Sequence, residues 1–389
     1  MANAFYRILD VQLTLEASLE LIDTFDLFYR RFRDPCTCER CRTCEFLHVQ
    51  VQVSKASDST FHVTGIWGEA DIAEGHVMAY LFYLMQNHIM KSVRSFATIH
   101  GAVLDIDGMG CVLAAPTSTG KTTLAMELVR RGAGFLSDEI AALALDEPVL
   151  HGYHRNLGVR EGGVGADGLS MLSTAPNVLI GGETKRVVDP ESVRKGTLCV
   201  SVRPSVIVFL VPPRDEAGMD SQNEHLELYF ATGVERFIDT MRREPGIQSL
   251  ITLHGRPHPG VRIAYIRGQK IVPDIDRLAA ASGAVISSHF RGASLPMDYS
   301  KDPSWSELEA GDGIMHLLPA VLNASSLTQR ESVASVVFHL SRLLADVKFI
   351  ELIPGLLHET AATIESICHD YRRSFLAGPR SMPQRSAHT

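Results

Sequence analysis

Residues 110–132 read GCVLAAPTSTGKTTLAMELVRRG, and this stretch decides the fold. An apolar segment of strand length enters a loop that ends in Gly120-Lys121-Thr122, and a helical pattern follows and stops at Gly132. This is the strand–loop–helix context that a phosphate-binding loop requires. In such a loop, backbone N–H groups and the positive end of the helix bind phosphate oxygens. The stretch therefore predicts an α/β domain that binds a nucleoside triphosphate.

Each residue of the loop has an expected contact with ATP. Lys121 is expected to bridge the β- and γ-phosphates, and the Thr122 hydroxyl is expected to bind Mg²⁺. The first loop position, which is usually Gly, is Ala115 here, and a methyl group is acceptable there if the backbone is in an ordinary φ/ψ region. The predicted cofactor-binding residues are Pro116, Thr117, Ser118, Thr119, Gly120, Lys121, Thr122 and Thr123.

An acidic pair follows the next apolar segment. Asp138 and Glu139 come directly after Phe135-Leu136 and Ser137, so we expect them at the end of a strand beside the loop. Carboxylates there can hold Mg²⁺ or accept the proton of an attacking hydroxyl, and the alternative is a solvated acidic turn. His100 lies early in the first strand of the site, and spacing alone favours a structural role for it.

Together these residues resemble the catalytic domain of HPr kinase/phosphorylase, which shares its fold with phosphoenolpyruvate carboxykinase. The resemblance is tight over residues 97–139 and looser to about residue 281. It implies that Lys121 holds the phosphates, that Asp138 is the base or orients the acceptor hydroxyl, and that His100 lies near the transferred phosphate. It also implies a Mg²⁺ site at Thr122, Glu139 and Asp138. The residues of this sequence that match the family motifs are His100-Gly101, Asp107-Gly108, Gly120-Lys121-Thr122, Arg131-Gly132 and Asp138-Glu139.

Two departures from the family pattern bear on the substrate. The family pair is usually Asp-Asp, whereas the second member here is Glu139, whose longer side chain has a different reach. The segment after His151, GYHRNLGVREGG, lacks the glycine-rich signature of HPr kinases, so the resemblance does not extend to phosphorylase activity or to HPr as acceptor. Arg155 or Arg160 in this segment could neutralise the transferred phosphate, or both could be surface arginines on a loop.

The patterns on either side divide the chain into four parts. Residues 1–95 are predicted as a small α+β region with a Cys-rich loop, in which residues 69–91 form a long helix. Residues 96–285 are predicted as an α/β P-loop catalytic domain with a mixed sheet, because strands outnumber helices there. Residues 286–377 are predicted as a helical region and residues 378–389 as a disordered tail.

A cluster of cysteines lies in the N-terminal part. Four thiolates in the pattern C-x-C-x₂-C-x₂-C could bind Zn²⁺ or an iron–sulfur cluster, and His48 could replace one of them. The spacing is compressed relative to a typical zinc site, which uses two separated pairs, so a reduced loop is the alternative. The four residues are Cys36, Cys38, Cys41 and Cys44.

The composition limits the partners. The chain has 389 residues and a net charge of −8, with a pI of about 6.1, so nucleic acid is not expected as the main partner. No stretch approaches the roughly 20 apolar residues that cross a bilayer, and the N-terminus lacks a signal-peptide pattern. A cytoplasmic location is therefore expected, and a homo-oligomer is left open.

These observations favour a kinase that transfers the γ-phosphate of ATP to a hydroxyl group with Mg²⁺. The acceptor would be a Ser of a protein or peptide, or a small molecule. One alternative is an ATP-binding regulatory or assembly protein with little or no transferase activity, in which residues 286–377 bind a partner. A carboxykinase-type enzyme is a second alternative, although the chain is short for one and shows no second dedicated metal site.

Overall fold

The computed structural model describes residues 1–34, 47–115, 119–160, 174–180, 183–211, 223–243, 247–253, 260–266, 275–293, 299–330 and 332–376. The strands are, in chain order, β1 (Ala2–Ile8), β2 (Val11–Ala17), β3 (Leu47–Ser57), β4 (Thr60–Gly65), β5 (Gly68–Ala73), β6 (Phe96–Ile106), β7 (Met109–Ala114), β8 (Gly134–Ser137), β9 (Ile140–Ala144), β10 (Leu150–His151), β11 (Leu157–Arg160), β12 (Asn177–Ile180), β13 (Glu183–Val188), β14 (Ser201–Val202), β15 (Pro204–Leu210), β16 (Asn223–Thr232), β17 (Ile247–Leu253), β18 (Gly260–Ile266), β19 (Val285–Ala293), β20 (Ser304–Leu308) and β21 (Lys348–Ile353). The helices are α1 (Leu19–Tyr29), α2 (Val77–Leu84), α3 (Met90–Ser92), α4 (Lys121–Arg131), α5 (Pro190–Val193), α6 (Val234–Met241), α7 (Ile275–Ser282), α8 (Ala310–Leu317), α9 (Ala324–Arg330), α10 (Val333–Leu343) and α11 (Leu357–Leu376).

In the described part of the chain, a mixed sheet of nine strands forms the centre of the molecule. Its order is β14-β10-β9-β6-β7-β15-β21-β20, and β8 pairs with the far end of β6. The strands β7, β15 and β21 run parallel to one another, and the remaining pairs are antiparallel. β15 is buried along its whole length, as expected for a central strand with covered faces. The predicted α/β class with a mixed sheet is therefore confirmed.

The strand that carries the phosphate loop is set by a tight hairpin. Asp107 and Gly108 at the β6–β7 turn have φ values of +52° and +83°. Two positive φ angles in succession give the turn whose twist matches that of the flanking strands. Gly108 N donates to the Asp105 side chain over 2.7 Å, which fixes the turn further. As a result, β7 returns antiparallel to β6 and delivers the chain to the loop.

The two faces of the central sheet are covered by different helices. Along β7, Cys111 and Leu113 point to the face covered by α4 and α11, and Val112 and Ala114 point to the face covered by α8 and α10. This alternation follows from the period of two in a strand. The salt bridge between Arg131 and Glu365, with Nη2 and Oε2 2.6 Å apart, joins α4 to α11 on the first face.

Residues 286–377, predicted as helical, also contain strands. β21 pairs with β15 on one side and β20 on the other, so it completes the central sheet. The reason is its buried segment Phe349–Leu352, in which every residue except Glu351 is apolar. The buried side chain of Asn323 connects this region to β6, because it accepts from Thr98 N over 3.0 Å and donates to Phe96 O over 2.7 Å. This region is thus not helical alone.

The N-terminal part is built on a five-stranded sheet in order β1-β2-β3-β4-β5, counted over the described residues. The predicted helix over residues 69–91 is wrong at its start, because Gly68–Ala73 form β5 and α2 begins at Val77. Ala70 and Ile72 alternate with exposed neighbours, and pairing with β4 buries them. The four clustered cysteines and the predicted tail at residues 378–389 lie outside the described residues.

Two smaller sheets complete the described structure. The strands β11, β13 and β12 form one of them, in that order, and it adjoins the phosphate-loop helix through Leu157 and Val159. The other has the order β17-β18-β16-β19 and is packed against α6 and α7. Of the helices in the described ranges, none is both long and apolar enough to cross a membrane.

Candidate functional site

A cavity of about 550 Å³ collects the predicted site residues from several elements. Its size is that of a typical small-molecule site. Pro116, Thr117 and Ser118 of the predicted loop lie outside the described residues. The residues singled out from the sequence that line the cavity are His100, Thr119, Gly120, Lys121, Thr122, Thr123, Asp138, Glu139, Arg155 and Arg160.

Lys121 is buried at the first turn of α4. Its Nζ atom donates to Ala115 O over 2.7 Å and lies 3.3 Å from His100 Nε2. Burial lowers the pKa of Lys121 to about 8, and the nearby carboxylates of Glu139 and Asp138 oppose that shift. Gly120 precedes it with a φ of +78° and, because it has no side chain, gives the helix no side-chain cap. The N-terminus of α4 faces the cavity, and a helix N-terminus is a place where backbone N–H groups bind phosphate.

The acidic pair is held by a local turn between β8 and β9. The Ser137 hydroxyl accepts from Glu139 N over 3.1 Å and from Ile140 N over 3.0 Å. On the other side, Gly101 N donates to Glu139 O over 3.0 Å, which fixes the pair beside β6. A side chain on Gly101 would approach Leu113 O to 2.9 Å, so this close contact requires glycine. Asp138 and Glu139 thus lie at the end of a strand and on the same cavity as Lys121.

Asp138 is a buried carboxyl group with unused hydrogen-bonding capacity. Its relative exposure is 4%, and its Oδ1 atom has no hydrogen-bond partner among the described residues. Burial raises the pKa of Asp138 to about 6, against the opposing effect of Arg155. A buried oxygen without a partner is uncommon and marks a place for a ligand, ion or water. A group with a pKa near neutrality is also suited to proton transfer.

Arg155 pairs with the acidic residues and is not a surface residue. Its Nη2 atom forms an ion pair with Glu139 Oε2 and lies 3.9 Å from Asp138 Oδ2. The guanidinium carbon lies 5.8 Å from the ring centroid of Phe28 and 5.9 Å from that of Phe82. Cation–π contacts of this kind favour the charged side chain in a partly dry site. The alternative of a surface arginine on a loop is therefore wrong for Arg155.

The N-terminal part supplies residues that the motifs did not indicate. Gln86 donates through Nε2 to Glu139 Oε1, so the second acidic residue is held from two sides. Phe28, Phe82 and Tyr83 line the cavity beside it. Only the apolar helical patterns of α1 and α2 were readable in the sequence, and such patterns do not specify which site a helix will face.

The donor atoms at the cavity fit a Mg²⁺ ion shared with a nucleotide. Mg²⁺ is usually held by one or two carboxylates together with phosphate oxygens and water. Thr122, Asp138 and Glu139 supply one hydroxyl and two carboxylates on one cavity. Within the described ranges, no group of three or more His, Cys, Asp or Glu side chains could hold a metal without such help. Zn²⁺ therefore has no support in the described residues.

The known proteins that are similar to this chain in sequence are HPr kinase/phosphorylases. No family model matches the chain. The HPr kinase/phosphorylase of Bordetella pertussis is 33% identical over 76 residues, which are 19% of this chain and 25% of that protein. The enzyme of the same name from Nitrosomonas europaea is 32% identical over 63 residues, which are 16% and 20% of the two chains. The matched stretch spans about a quarter of the length of these relatives.

One solved structure also aligns with part of the chain. The HPr(Ser) kinase/phosphatase from Coxiella burnetii aligns over 47% of this chain and 88% of its own, with 14% identity and a TM-score of 0.21. A superposition this loose carries no argument about the fold or the site, so only the sequence matches are used below. In those matches, about a fifth of the length of this chain is similar to HPr kinase/phosphorylases.

Proposed function

We propose that this protein is an ATP-dependent kinase that transfers the γ-phosphate to a hydroxyl group. The observation that carries the proposal is the convergence of Lys121, Thr122 and Asp138 on one cavity at the start of α4. Phosphoryl transfer depends mostly on positioning and charge stabilisation, so a phosphate loop, a metal ion and one base suffice. The kinase names of the relatives support the same reaction class.

Each of these residues has a definite task in the proposed reaction. Lys121 and the N–H groups of α4 bind the phosphates, and His100 holds the Lys121 ammonium in place. Asp138 accepts the proton of the acceptor hydroxyl, for which its unpartnered Oδ1 atom is available in the described structure. Thr122, Asp138 and Glu139 would hold Mg²⁺, which neutralises charge on the phosphates when it is bound.

One observation favours the alternative of an ATP-binding regulator. Glu139 is already engaged by Arg155 and Gln86, so its carboxylate must leave at least one of them to bind a metal ion closely. A regulator would bind nucleotide at the same loop but would not need Asp138 as a base. The two functions therefore differ in what happens when Asp138 loses its charge.

Labelling with γ-labelled ATP and Mg²⁺ in a lysate of the source cells separates the two. We expect the wild-type protein to label an acceptor, and Asp138→Asn to lose at least about 10²-fold of the rate, as is usual when a general base is removed. Nucleotide binding should survive in that variant. Asp146→Asn is the matched control, because Asp146 is exposed on the turn after β9. If ATP binds but the wild-type protein labels no acceptor, the kinase proposal fails.

A further inference from the structure

The cavity extends to both sides of the phosphate loop. The strands β7, β15 and β21 are parallel neighbours, so their carboxyl ends lie at the same edge of the central sheet. Leu210 ends β15 and Pro354 directly follows β21, and both residues line the cavity. On the other side of β7, β6 carries His100 and pairs with β8 and β9, which flank the acidic pair. The loop after β7 therefore lies between two parts of one cavity.

The part of the cavity at the ends of β15 and β21 is lined by uncharged residues. The residues of this uncharged pocket are Leu210, Tyr299, Pro354, Gly355, Leu357 and Thr360. The charged lining residues lie elsewhere, at the phosphate loop, at the acidic pair and on the sheet of β11 and β13. A pocket without charged side chains offers a phosphate group no counter-charge, whereas it suits a flat ring system.

Tyr299 forms the wall of the uncharged pocket next to the phosphate loop. A Cβ atom on Gly120 would lie 3.3 Å from Tyr299 Oη and 3.7 Å from Tyr299 Cζ, so the phenol ring packs against the last glycine of the loop. Tyr299 is 42% exposed and lines the cavity, so part of its ring is open to a ligand. Such a ring offers a face on which a nucleobase can stack.

Backbone contacts fix the segment that carries Tyr299. Leu356 N donates to Lys301 O over 2.9 Å. A Cβ atom on Gly355 would collide with the same oxygen, so this close approach requires glycine. Gly355 N donates to the Thr360 hydroxyl over 2.9 Å, which joins the turn after β21 to the first turn of α11. The ring of Tyr299 is therefore two residues from an anchored backbone bond and is held in place before a ligand binds.

Building on the proposed function, we infer that the uncharged pocket binds the nucleoside part of ATP, with the base stacked on the ring of Tyr299. In phosphoryl transfer the attacking and leaving oxygens lie in line, on opposite sides of the γ-phosphorus atom. The acceptor hydroxyl approaches from the side of Asp138, so the leaving ADP extends to the other side, where the uncharged pocket lies. Apart from Leu210, the pocket residues lie outside residues 97–281, so the resemblance to HPr kinases does not indicate them.

Two ligands distinguish the pocket from the loop. Inorganic tripolyphosphate has the phosphates of ATP without the nucleoside, and isothermal titration in the presence of Mg²⁺ compares it with a non-hydrolysable ATP analogue. Tyr299→Ala should bind the analogue about tenfold or more weakly, as is typical when a stacking ring is removed, and should bind tripolyphosphate as the wild-type protein does. Tyr299→Leu keeps an apolar side chain beside Gly120 and should show the same selective loss. Tyr299→Phe keeps the ring and should bind both ligands like the wild-type protein.

Trp305→Ala is the matched control. Trp305 in β20 is an aromatic residue of similar exposure, 48%, and is absent from the described cavity lining, so its loss should leave both affinities unchanged. Unchanged affinity for the analogue in Tyr299→Ala and Tyr299→Leu overturns the inference, and so does an equal loss for the two ligands in both variants. The expected selective loss in a protein that labels no acceptor supports the inference and contradicts only the kinase activity. A wild-type protein that binds neither ligand overturns the proposed function and the inference together.

Discussion

The Nζ atom of Lys121 and the Nε2 atom of His100 lie 3.3 Å apart in the wall of the cavity. An ammonium group can only donate, so Nε2 must accept and the proton of the neutral ring must be on Nδ1. In the proposed function, His100 would act on the phosphates through Lys121, by keeping the ammonium group at the loop. The resemblance to HPr kinases implies that His100 lies near the phosphate, and the contact with Lys121 supplies a positioning role for it in the proposed function.

The first prediction concerns that contact. His100→Ala should weaken ATP binding about tenfold, because Lys121 loses an acceptor that orients it. His100→Gln should bind ATP nearly as well as the wild-type protein, since the amide oxygen can accept from the same ammonium group. Isothermal titration with a non-hydrolysable ATP analogue measures both. Equal binding by His100→Ala and the wild-type protein would contradict the positioning role.

The second prediction is a bell-shaped dependence of kcat/KM on pH. The rate should rise as pH increases through about 6, because Asp138 must lose its proton before it can accept one. It should fall as pH increases through about 8, because Lys121 then loses the charge that holds the phosphates. In Lys121→Arg the alkaline limb should move beyond the measurable range, since a guanidinium group keeps its proton. An unchanged alkaline limb in that variant would show that another group sets it.

The sequence predicts those parts of the site that are built by residues close together in the chain. The strand, the loop and α4 are continuous in the chain, and the Asp107-Gly108 turn carries its own conformational signal. The same is true of Asp138 and Glu139, because Ser137 directly before them shapes their turn. At the strand, at α4 and at the two turns, local sequence and structure agree, as expected for segments whose conformation is decided within a few residues.

The contacts that the sequence did not reveal join residues far apart in the chain. Gln86, in the helical turn that follows α2, and Arg155 are far apart in the chain and meet at Glu139 only in the folded structure. β5 shows the same effect in the fold, since its Glu and Ala residues are compatible with a helix but pairing with β4 decides the outcome. Periodicity specifies that a face is buried, and it does not specify the partner that buries it.

The third prediction separates stability from activity at Asp138. The pKa of this group rises from 3.8 to about 6 on folding, so the folded state binds more protons between those values. Its contribution to stability is therefore fully present below about pH 4 and is lost as pH rises through 6. Asp138→Asn avoids this loss and should be more stable than the wild-type protein at pH 7, by about 1–3 kcal/mol.

Urea unfolding at pH 7 and pH 4 measures the predicted stability difference between Asp138→Asn and the wild-type protein. The difference in unfolding free energy between Asp138→Asn and the wild-type protein should shrink when the pH is lowered from 7 to 4. Asp146→Asn, on the exposed turn, should show little difference at either pH. A destabilised Asp138→Asn protein at pH 7 would mean that the negative charge is needed by its neighbours more than burial penalises it.

The last prediction compares a buried ion pair with an exposed one. Arg155→Met leaves Glu139 partly buried without its cation and removes the cation from Phe28 and Phe82, which should cost about 3 kcal/mol of stability. Arg203→Met breaks a 2.8 Å pair with Asp346 whose side chains are 56% and 60% exposed, and should cost less than about 1 kcal/mol. The double variant Arg155→Met/Glu139→Gln should recover part of the loss, because residue 139 is then neutral and no longer needs a cation. Unfolding curves of the wild-type protein, the two single variants and the double variant measure these stability differences. An equal loss of stability in the two single variants would show that Arg155 does not hold the acidic pair in place.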